Sequence, residues 1–242
     1  MRLVGVTARP NSGWRGEASP EAAPFLWPIL NGNDSELSYL ALSSLRTIGF
    51  QPKDIPALAD LLVQTHNNFT VAQRDIAHAN ISRVPNLLER ISGNESLQRY
   101  LPEAIAETIR QNPDTVAPFI TSVENLLDVE NADIRFGAAC ALAKYKGVND
   151  SKISKELTAG LKGPDGLKQL MAIETLQHIG TDAQPMIPEM LEYANSIDDR
   201  FIRELAFRAI GYIDSNLRNT MPEVDQALKN DPSLKNVVEK VK

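Results

Sequence analysis

Prolines recur along this chain at nearly constant spacing, and this spacing constrains the fold more than any other feature. The steps between them are 32, 29, 33, 70 and 34 residues, and the step of 70 spans two periods. Each proline is followed two residues later by an aliphatic side chain. A period of about 33 residues is typical of stacked helical pairs. The series comprises Pro24, Pro56, Pro85, Pro118, Pro188 and Pro222.

A second series, offset from the first, places an alanine four residues before a leucine or isoleucine. Residues four apart lie on one face of a helix, and a small alanine beside a large aliphatic side chain lets neighbouring helices approach closely. The two interleaved series therefore predict two helices per repeat. The anchor pairs are Ala41/Leu45, Ala72/Ile76, Ala138/Leu142, Ala172/Leu176 and Ala206/Ile210, with Leu101/Ile105 in an irregular third repeat.

Composition and turn residues also favour an all-α fold. The chain is 43% hydrophobic but only 6% aromatic, as expected for helices packed through small and aliphatic side chains rather than for a β-sandwich. Glycines follow several second helices, where a left-handed residue ends a helix well. These glycines are Gly49, Gly147 and Gly180. Capping residues precede the second helices at Asn33/Asp34, Thr70, Asn94, Asn131/Asp133, Asp165 and Asp198/Asp199.

These signals predict one solenoid domain over 19–242 after an irregular N-terminal segment or junction, 1–18. First helices are expected near 20–30, 53–64, 85–92, 115–128, 151–161, 185–195 and 221–229. Second helices are expected near 35–48, 70–83, 96–110, 132–146, 166–179 and 199–213. Repeats are irregular over 65–112, where Pro102 and Pro113 are expected to interrupt a second helix, and 219–242 is expected to form a C-terminal cap.

Three segments carry a resemblance to a known family. Residues 133–147 and 200–213 resemble the second helix of HEAT repeats, in which Ile-Arg precedes an alanine-rich stretch, and 183–194 resembles the first helix. The resemblance, to armadillo-like bacterial HEAT and PBS-lyase-like HEAT repeats, covers about 20–240. It implies a right-handed α–α superhelix of about six to seven helical pairs with second helices lining the concave face. The commonest role of the family is protein–protein scaffolding, which implies a protein or peptide partner on that face.

The predicted working surface is the stripe of each second helix that lies opposite its anchor pair. Aromatic and arginine side chains are enriched at the centres of protein interfaces, so we expect Tyr39, Arg74, Phe136, Arg208 and Tyr212 to anchor a partner. Packing between repeats remains the alternative for Phe136 and the two tyrosines. The full predicted set is Tyr39, Arg74, His78, Arg99, Phe136, Lys144, His178, Arg208 and Tyr212. Outside it, Arg135 and Arg203 are expected to bond between repeats with acids such as Asp133 and Asp199.

Catalysis is not predicted from these residues. No histidine is followed by glutamate, and His78 and His178 lie three predicted repeats apart, too far for one metal ion, so no metal or other cofactor is expected. The single cysteine, Cys140, lies in an alanine-rich helix, where a free cysteine is usually a packing residue. The enzyme-class alternative is a bilin-lyase-like or small-molecule-binding HEAT protein.

Charge and hydropathy bear on partners and compartment. The net charge of −6 and the sequence pI of about 5.2 disfavour nucleic acid, including the reading as a HEAT-like DNA glycosylase. No stretch approaches the ~20 apolar residues of a membrane span, and the four-residue stretch 3–6 is too short for a signal peptide. The expectation is a cytoplasmic protein, monomeric rather than oligomeric, with export open if a signal has been removed.

Overall fold

The computed structural model describes residues 19–67 and 93–214, with side chains over 19–66 and 96–214. Regular secondary structure in these residues is helical throughout, so the all-α prediction is confirmed for them. Short 3₁₀ turns at Pro20–Ala22, Pro52–Asp54, Asn125–Asp128 and Gly180–Met186 adjoin the α-helices. The α-helices are α1 (Ala23–Leu30), α2 (Ser35–Ile48), α3 (Ile55–Asn67), α4 (Gly93–Gln111), α5 (Ala117–Glu124), α6 (Ala132–Lys146), α7 (Ser151–Lys162), α8 (Gly166–Ile179), α9 (Ile187–Ser196) and α10 (Arg200–Ile213).

Local sequence sets the ends of these helices. An Asp or Asn side chain accepts hydrogen bonds from two backbone N–H groups in the first turn of α2, α6, α8 and α10, as the sequence predicts. The capping residues are Asp34, Asn131, Asp165 and Asp199. Asp150 caps α7 in the same way, although the sequence analysis did not identify it. The glycines after α2, α6 and α8 have φ of 95°, 71° and 68°, a region that other residues rarely adopt.

The α-helices fall into two sets: a row of helices in which each one contacts the next, and a second set of helices packed against that row. Helices α2, α4, α6, α8 and α10 each contact the next member of the row. Helix α1 packs on α2, α3 on α4, α5 on α6, α7 on α8 and α9 on α10. Every anchor residue in the described part of the chain is at most 2% exposed, which confirms that the anchor pairs face the core. The pair Ala72/Ile76 lies outside the described residues.

The pairing of helices differs from the predicted repeat register in one place. Helix α2 contacts α4 directly. Helix α3 was expected to begin the second repeat, but it packs against α4, which was expected to end the third. The helices predicted near 70–83 and 85–92 lie outside the described residues, as does the C-terminal cap. Helix α4 also runs continuously through Pro102, and Pro113 follows its end, so the predicted interruption is wrong. A proline removes only one N–H from the ladder, and the buried packing of α4 on α2, α3 and α6 outweighs that local loss.

Arg135 bonds to a neighbouring helix, but its partner is not the acid that the sequence analysis named. Its Nε lies 2.8 Å from Oε1 of Glu156 on α7, and its Nη1 donates to the carbonyl oxygens of Val129 and Glu130 at 2.9 and 2.7 Å. Asp133 instead pairs with Lys168 on α8. Asp133 precedes Arg135 by only two residues, and positions two apart do not share a helix face. Asp199 caps α10, and the buried Nε of Arg203 has no hydrogen-bond partner among the described residues.

Candidate functional site

The row of helices carries most of the predicted binding residues. Tyr39 on α2, Arg99 on α4 and Lys144 on α6 are half-buried. His178 on α8 and both Arg208 and Tyr212 on α10 are exposed. Arg74 and His78 lie outside the described residues. The structure thus leaves six of the nine predicted side chains at least partly accessible on successive members of one row.

Phe136 is the exception, and its prediction as a surface anchor is wrong. The residue is 3% exposed, and its ring lies directly over Gly160 of α7. A side chain at position 160 would occupy the place of the ring, so the glycine creates the space in which Phe136 packs. The Nζ of Lys168 lies 5.8 Å from the ring centroid. The ring therefore belongs to the core between α6 and α7, and the packing alternative holds for it.

Two tyrosines and two arginines from α2 and α4 form a tyrosine–arginine cluster: Tyr39, Arg46, Arg99 and Tyr100. The rings of Tyr39 and Tyr100 stack with centroids 5.7 Å apart and planes inclined by 28°. The guanidinium carbons of Arg46 and Arg99 lie 5.6 and 5.3 Å from the Tyr100 centroid. Such cation–π contacts orient both arginines. The cluster presents flat aromatic and planar cationic groups together at a partly exposed surface.

Ion pairs extend this cluster across the row. Arg46 Nη2 lies 3.4 Å from Glu103 Oε1 and 3.5 Å from Glu107 Oε2, which ties α2 to α4. Arg99 Nη2 donates to Glu174 Oε1 at 2.5 Å, which reaches from α4 to α8. Arg99 is mostly buried whereas Glu174 is partly exposed, so the pair holds a shielded guanidinium in place from its more exposed side.

A pocket of about 200 Å³ opens beside the cluster between α4, α6 and α8. The ring of Tyr100 and the side chain of Met171 form part of an apolar wall. The polar groups lining it are Arg99, Glu103, Lys144, Glu174, Thr175 and His178. The pocket therefore combines both signs of charge with apolar surface in a small volume.

Burial shifts the pKa values of three groups in this pocket. It lowers the pKa of the Lys144 ammonium, and the nearby carboxylate of Glu103 opposes that change. It raises the pKa of the Glu174 carboxyl, against the effect of Arg99. Burial also raises the pKa of Cys140 to about 12, so its thiol is protonated at neutral pH and is a poor nucleophile. Lys144 and Glu174 are thus the two ionisable groups of the pocket, besides the Cys140 thiol, whose charged form burial disfavours.

Tyr100 and Arg46 were missed by the sequence analysis. Each lies next in sequence to a residue of the predicted stripe. A signal for Arg46 was present, since it follows Tyr39 by seven residues, two helical turns along the same face. No comparable signal selected Tyr100, since its position on the surface depends on how α4 meets α2.

The fold and the site together define an all-α protein with a charged pocket on one row of helices. Comparison with protein-family models, curated proteins and solved structures finds no match for this protein. Within 19–67 and 93–214, no cluster of His, Cys, Asp or Glu side chains is suited to hold a metal ion. No helix in those ranges is long and apolar enough to cross a membrane.

Proposed function

We propose that this protein is a non-catalytic scaffold that holds a protein or peptide on the surface formed by α2, α4, α6, α8 and α10. The observation that carries the proposal is the tyrosine–arginine cluster, in which Tyr39 stacks on Tyr100 and two arginines lie close to the Tyr100 ring at a partly exposed surface. Tyrosine and arginine dominate the energetic centres of protein interfaces. Their contacts with one another also hold them in place before binding, which reduces the entropy lost on association.

The proposal includes a HEAT-like solenoid whose row of second helices is the concave face. The sequence period near 33 residues supports it, as does the alternation of helices between the row and the set packed against it. Solenoids of this kind present an extended surface rather than a single deep cleft. A surface of that shape suits an elongated peptide or the flank of a folded domain.

The charges on this surface favour protein over nucleic acid. Glu103, Glu107 and Glu174 project from the same row as the two arginines and pair with them. Carboxylates at these positions repel a phosphate backbone, whereas they complement basic groups of a protein partner. A surface of mixed sign also selects its partner by the arrangement of charges.

A second candidate function, binding of a small molecule, is favoured by the pocket beside the cluster. Half-buried groups with displaced pKa values in a concavity are typical of ligand sites. The pocket of about 200 Å³ is smaller than the roughly 300 to 1,000 Å³ of ordinary ligand sites, which favours the first candidate. Native mass spectrometry and absorbance of the purified protein test the second, since a retained ligand adds mass or a chromophore.

The scaffold proposal is tested by capture of partners from the native cells on the tagged protein, followed by mass spectrometry. The test variant is Tyr39→Ala/Tyr212→Ala, which removes two accessible aromatic rings from α2 and α10. The matched control is Phe25→Ala/Tyr145→Ala, which removes two exposed rings that neither join the cluster nor line the pocket. Circular dichroism and thermal melting check that both variants fold.

We expect a partner that the wild-type protein and the control capture and the test variant loses. A partner retained equally by both variants contradicts the proposed surface. Failure to capture any protein, together with a bound small molecule, favours the second candidate.

A further inference from the structure

We propose that the pocket between α4, α6 and α8 receives one carboxylate group of the bound partner, with Lys144 as its counter-ion and Arg99 as a second donor. This inference rests on the proposed function, because it names the chemistry that the partner brings to the surface. It assigns to the pocket a ligand class, a singly charged carboxylate on a short apolar stem.

Lys144 is the proposed counter-ion of the bound carboxylate. Its side chain lines the pocket and is half-buried, yet none of the ion pairs in the described residues includes it. Lys146, two residues further along α6, pairs with Glu124. Burial also lowers the pKa of Lys144, as expected for an ammonium that has lost water without gaining a close anion.

The neighbouring charges are already engaged with one another. Glu174 accepts a hydrogen bond from Arg99 at 2.5 Å. Arg46 forms ion pairs with Glu103 at 3.4 Å and with Glu107 at 3.5 Å. Glu103 still attracts Lys144 through space, but from beyond ion-pair distance. An entering carboxylate would therefore find Lys144 without a direct partner among the described residues.

Arg99 supplies the second donor. Its side chain is only 9% exposed and lines the same pocket. Nη2 is bonded to Glu174, whereas Nη1 is buried with no hydrogen-bond partner among the described residues. Buried donors are nearly always satisfied in folded proteins, so the proposal assigns to this Nη1 a bond to the entering carboxylate, which the guanidinium makes by turning towards the pocket.

The volume of the pocket limits what enters it. A water molecule occupies about 30 Å³ of the liquid, so about 200 Å³ holds one short side chain rather than a drug-sized compound. Tyr100 and Met171 supply apolar wall against which methylene groups pack. An aspartate or glutamate side chain satisfies both the size and the polarity of the site.

The charge of the pocket favours a monoanion over a phosphate. The carboxylates of Glu103 and Glu174 stand in its wall beside the two cations. A phosphate group carries a charge of about −1.5 to −2 at neutral pH and is repelled more strongly by both. A carboxylate balances the cation that lacks a direct partner within the described residues. Glu103→Gln should tighten its binding, because it removes one of the two negative charges in the pocket wall.

The test follows the lysine side-chain resonances of the full-length protein by NMR during titration with propionate. Propionamide, which has the same shape but no charge, is the matched ligand control, and inorganic phosphate is the dianion control. Lys144→Met removes the ammonium, while Lys146→Met removes a lysine of the same helix that does not line the pocket. A second arm compares the blocked peptides acetyl-Ala-Glu-Ala-amide and acetyl-Ala-Gln-Ala-amide, which separates a partner's side chain from a free acid.

We expect propionate, but not propionamide, to shift the Lys144 resonances in the wild-type protein and in Lys146→Met. Lys144→Met identifies these resonances by their absence and should abolish the accompanying shift of the His178 ring, which lines the same pocket. The Glu peptide should bind about tenfold more tightly than the Gln peptide, in line with one charge-assisted contact. Equal responses to propionate and propionamide overturn the inference, as does equal binding of the two peptides. If the captured partner depends on Tyr39 and Tyr212 but is held equally by Lys144→Met, the carboxylate site is wrong and the scaffold stands.

Discussion

Gly160 shows how one missing side chain sets the position of a helix. A Cβ at this position would lie 2.1 Å from Cε2 of Phe136, whose side chain is buried. The glycine thus allows α7 to lie directly on the phenylalanine ring of α6.

Gly160→Ala should therefore destabilise the protein by about 1 to 3 kcal/mol through overpacking. The sign is informative, because Gly→Ala within an exposed helix stabilises by about 1 kcal/mol. Urea denaturation measures the change. In a Phe136→Leu background the clash is relieved, and the cost of Gly160→Ala should shrink or reverse; an undiminished cost would place the strain elsewhere.

The burial of Lys144 predicts that the stability of the folded state depends on pH. Burial lowers its pKa below the usual 10.5, so the unfolded state binds its proton more tightly than the folded state does. The folded state is therefore penalised while the ammonium is charged in both states, and this penalty is relieved as pH rises from the lowered pKa towards 10.5.

Lys144→Met should accordingly raise Tm at pH 7 and lose part of this advantage in alkaline solution. Lys146→Met, which removes a partly exposed ion pair with Glu124, should leave Tm unchanged or slightly lower. Thermal melts of both variants between pH 7 and pH 10 make the comparison. A lower Tm for Lys144→Met at pH 7 would mean that Glu103 already stabilises the ammonium fully.

At the scale of elements, the Arg135–Glu156 pair connects α6, α7 and the turn before α6. Glu156 is nearly buried, and Arg135 also holds two backbone carbonyls of the preceding turn. Removal of the arginine leaves a nearly buried carboxylate without its partner, which costs more than removal of both charges.

Arg135→Met should destabilise the protein by about 2 kcal/mol, with the magnitude reduced by the partial exposure of the pair. The double variant Arg135→Met/Glu156→Met should be less unstable than the sum of its single variants. A double-mutant cycle in urea measures this coupling. Strict additivity would show that the pair does not connect α6 to α7 energetically.

At the scale of the whole molecule, α6 lies at the centre of the packing. It contacts α3, α4, α5, α7 and α8, and residues 136–143 are buried without interruption. Helix α1, in contrast, contacts mainly α2. In a structure that packs largely through neighbours, the ends open more readily than the middle.

Native-state hydrogen exchange should therefore show the slowest amides in α6 and faster exchange in α1. We expect the free energy of local opening to decrease from α6 through α4 and α2 to α1. Equal protection in both helices would indicate one globally cooperative unit instead of a series of neighbouring contacts.

Much of the helical fold follows from the sequence alone. The anchor pairs of the described residues are buried, four of the six predicted second helices begin at the predicted Asp or Asn caps, and the glycines after three helices have positive φ. These properties depend on residues close together in sequence, through helical periodicity and backbone hydrogen bonds within one turn. The sequence pattern therefore specifies them before any helix meets another.

Tertiary structure alone decided which side chains meet. Phe136 of α6 is buried because Gly160 on the neighbouring helix α7 leaves space for its ring. The stack of Tyr39 on Tyr100 depends on direct contact between α2 and α4. The partners of Arg135 and the surroundings of Lys144 arise in the same way, from the rotation of neighbouring helices about their axes. A rotation of one residue position, about 100°, moves a side chain from surface to core, and periodicity does not determine it to that precision.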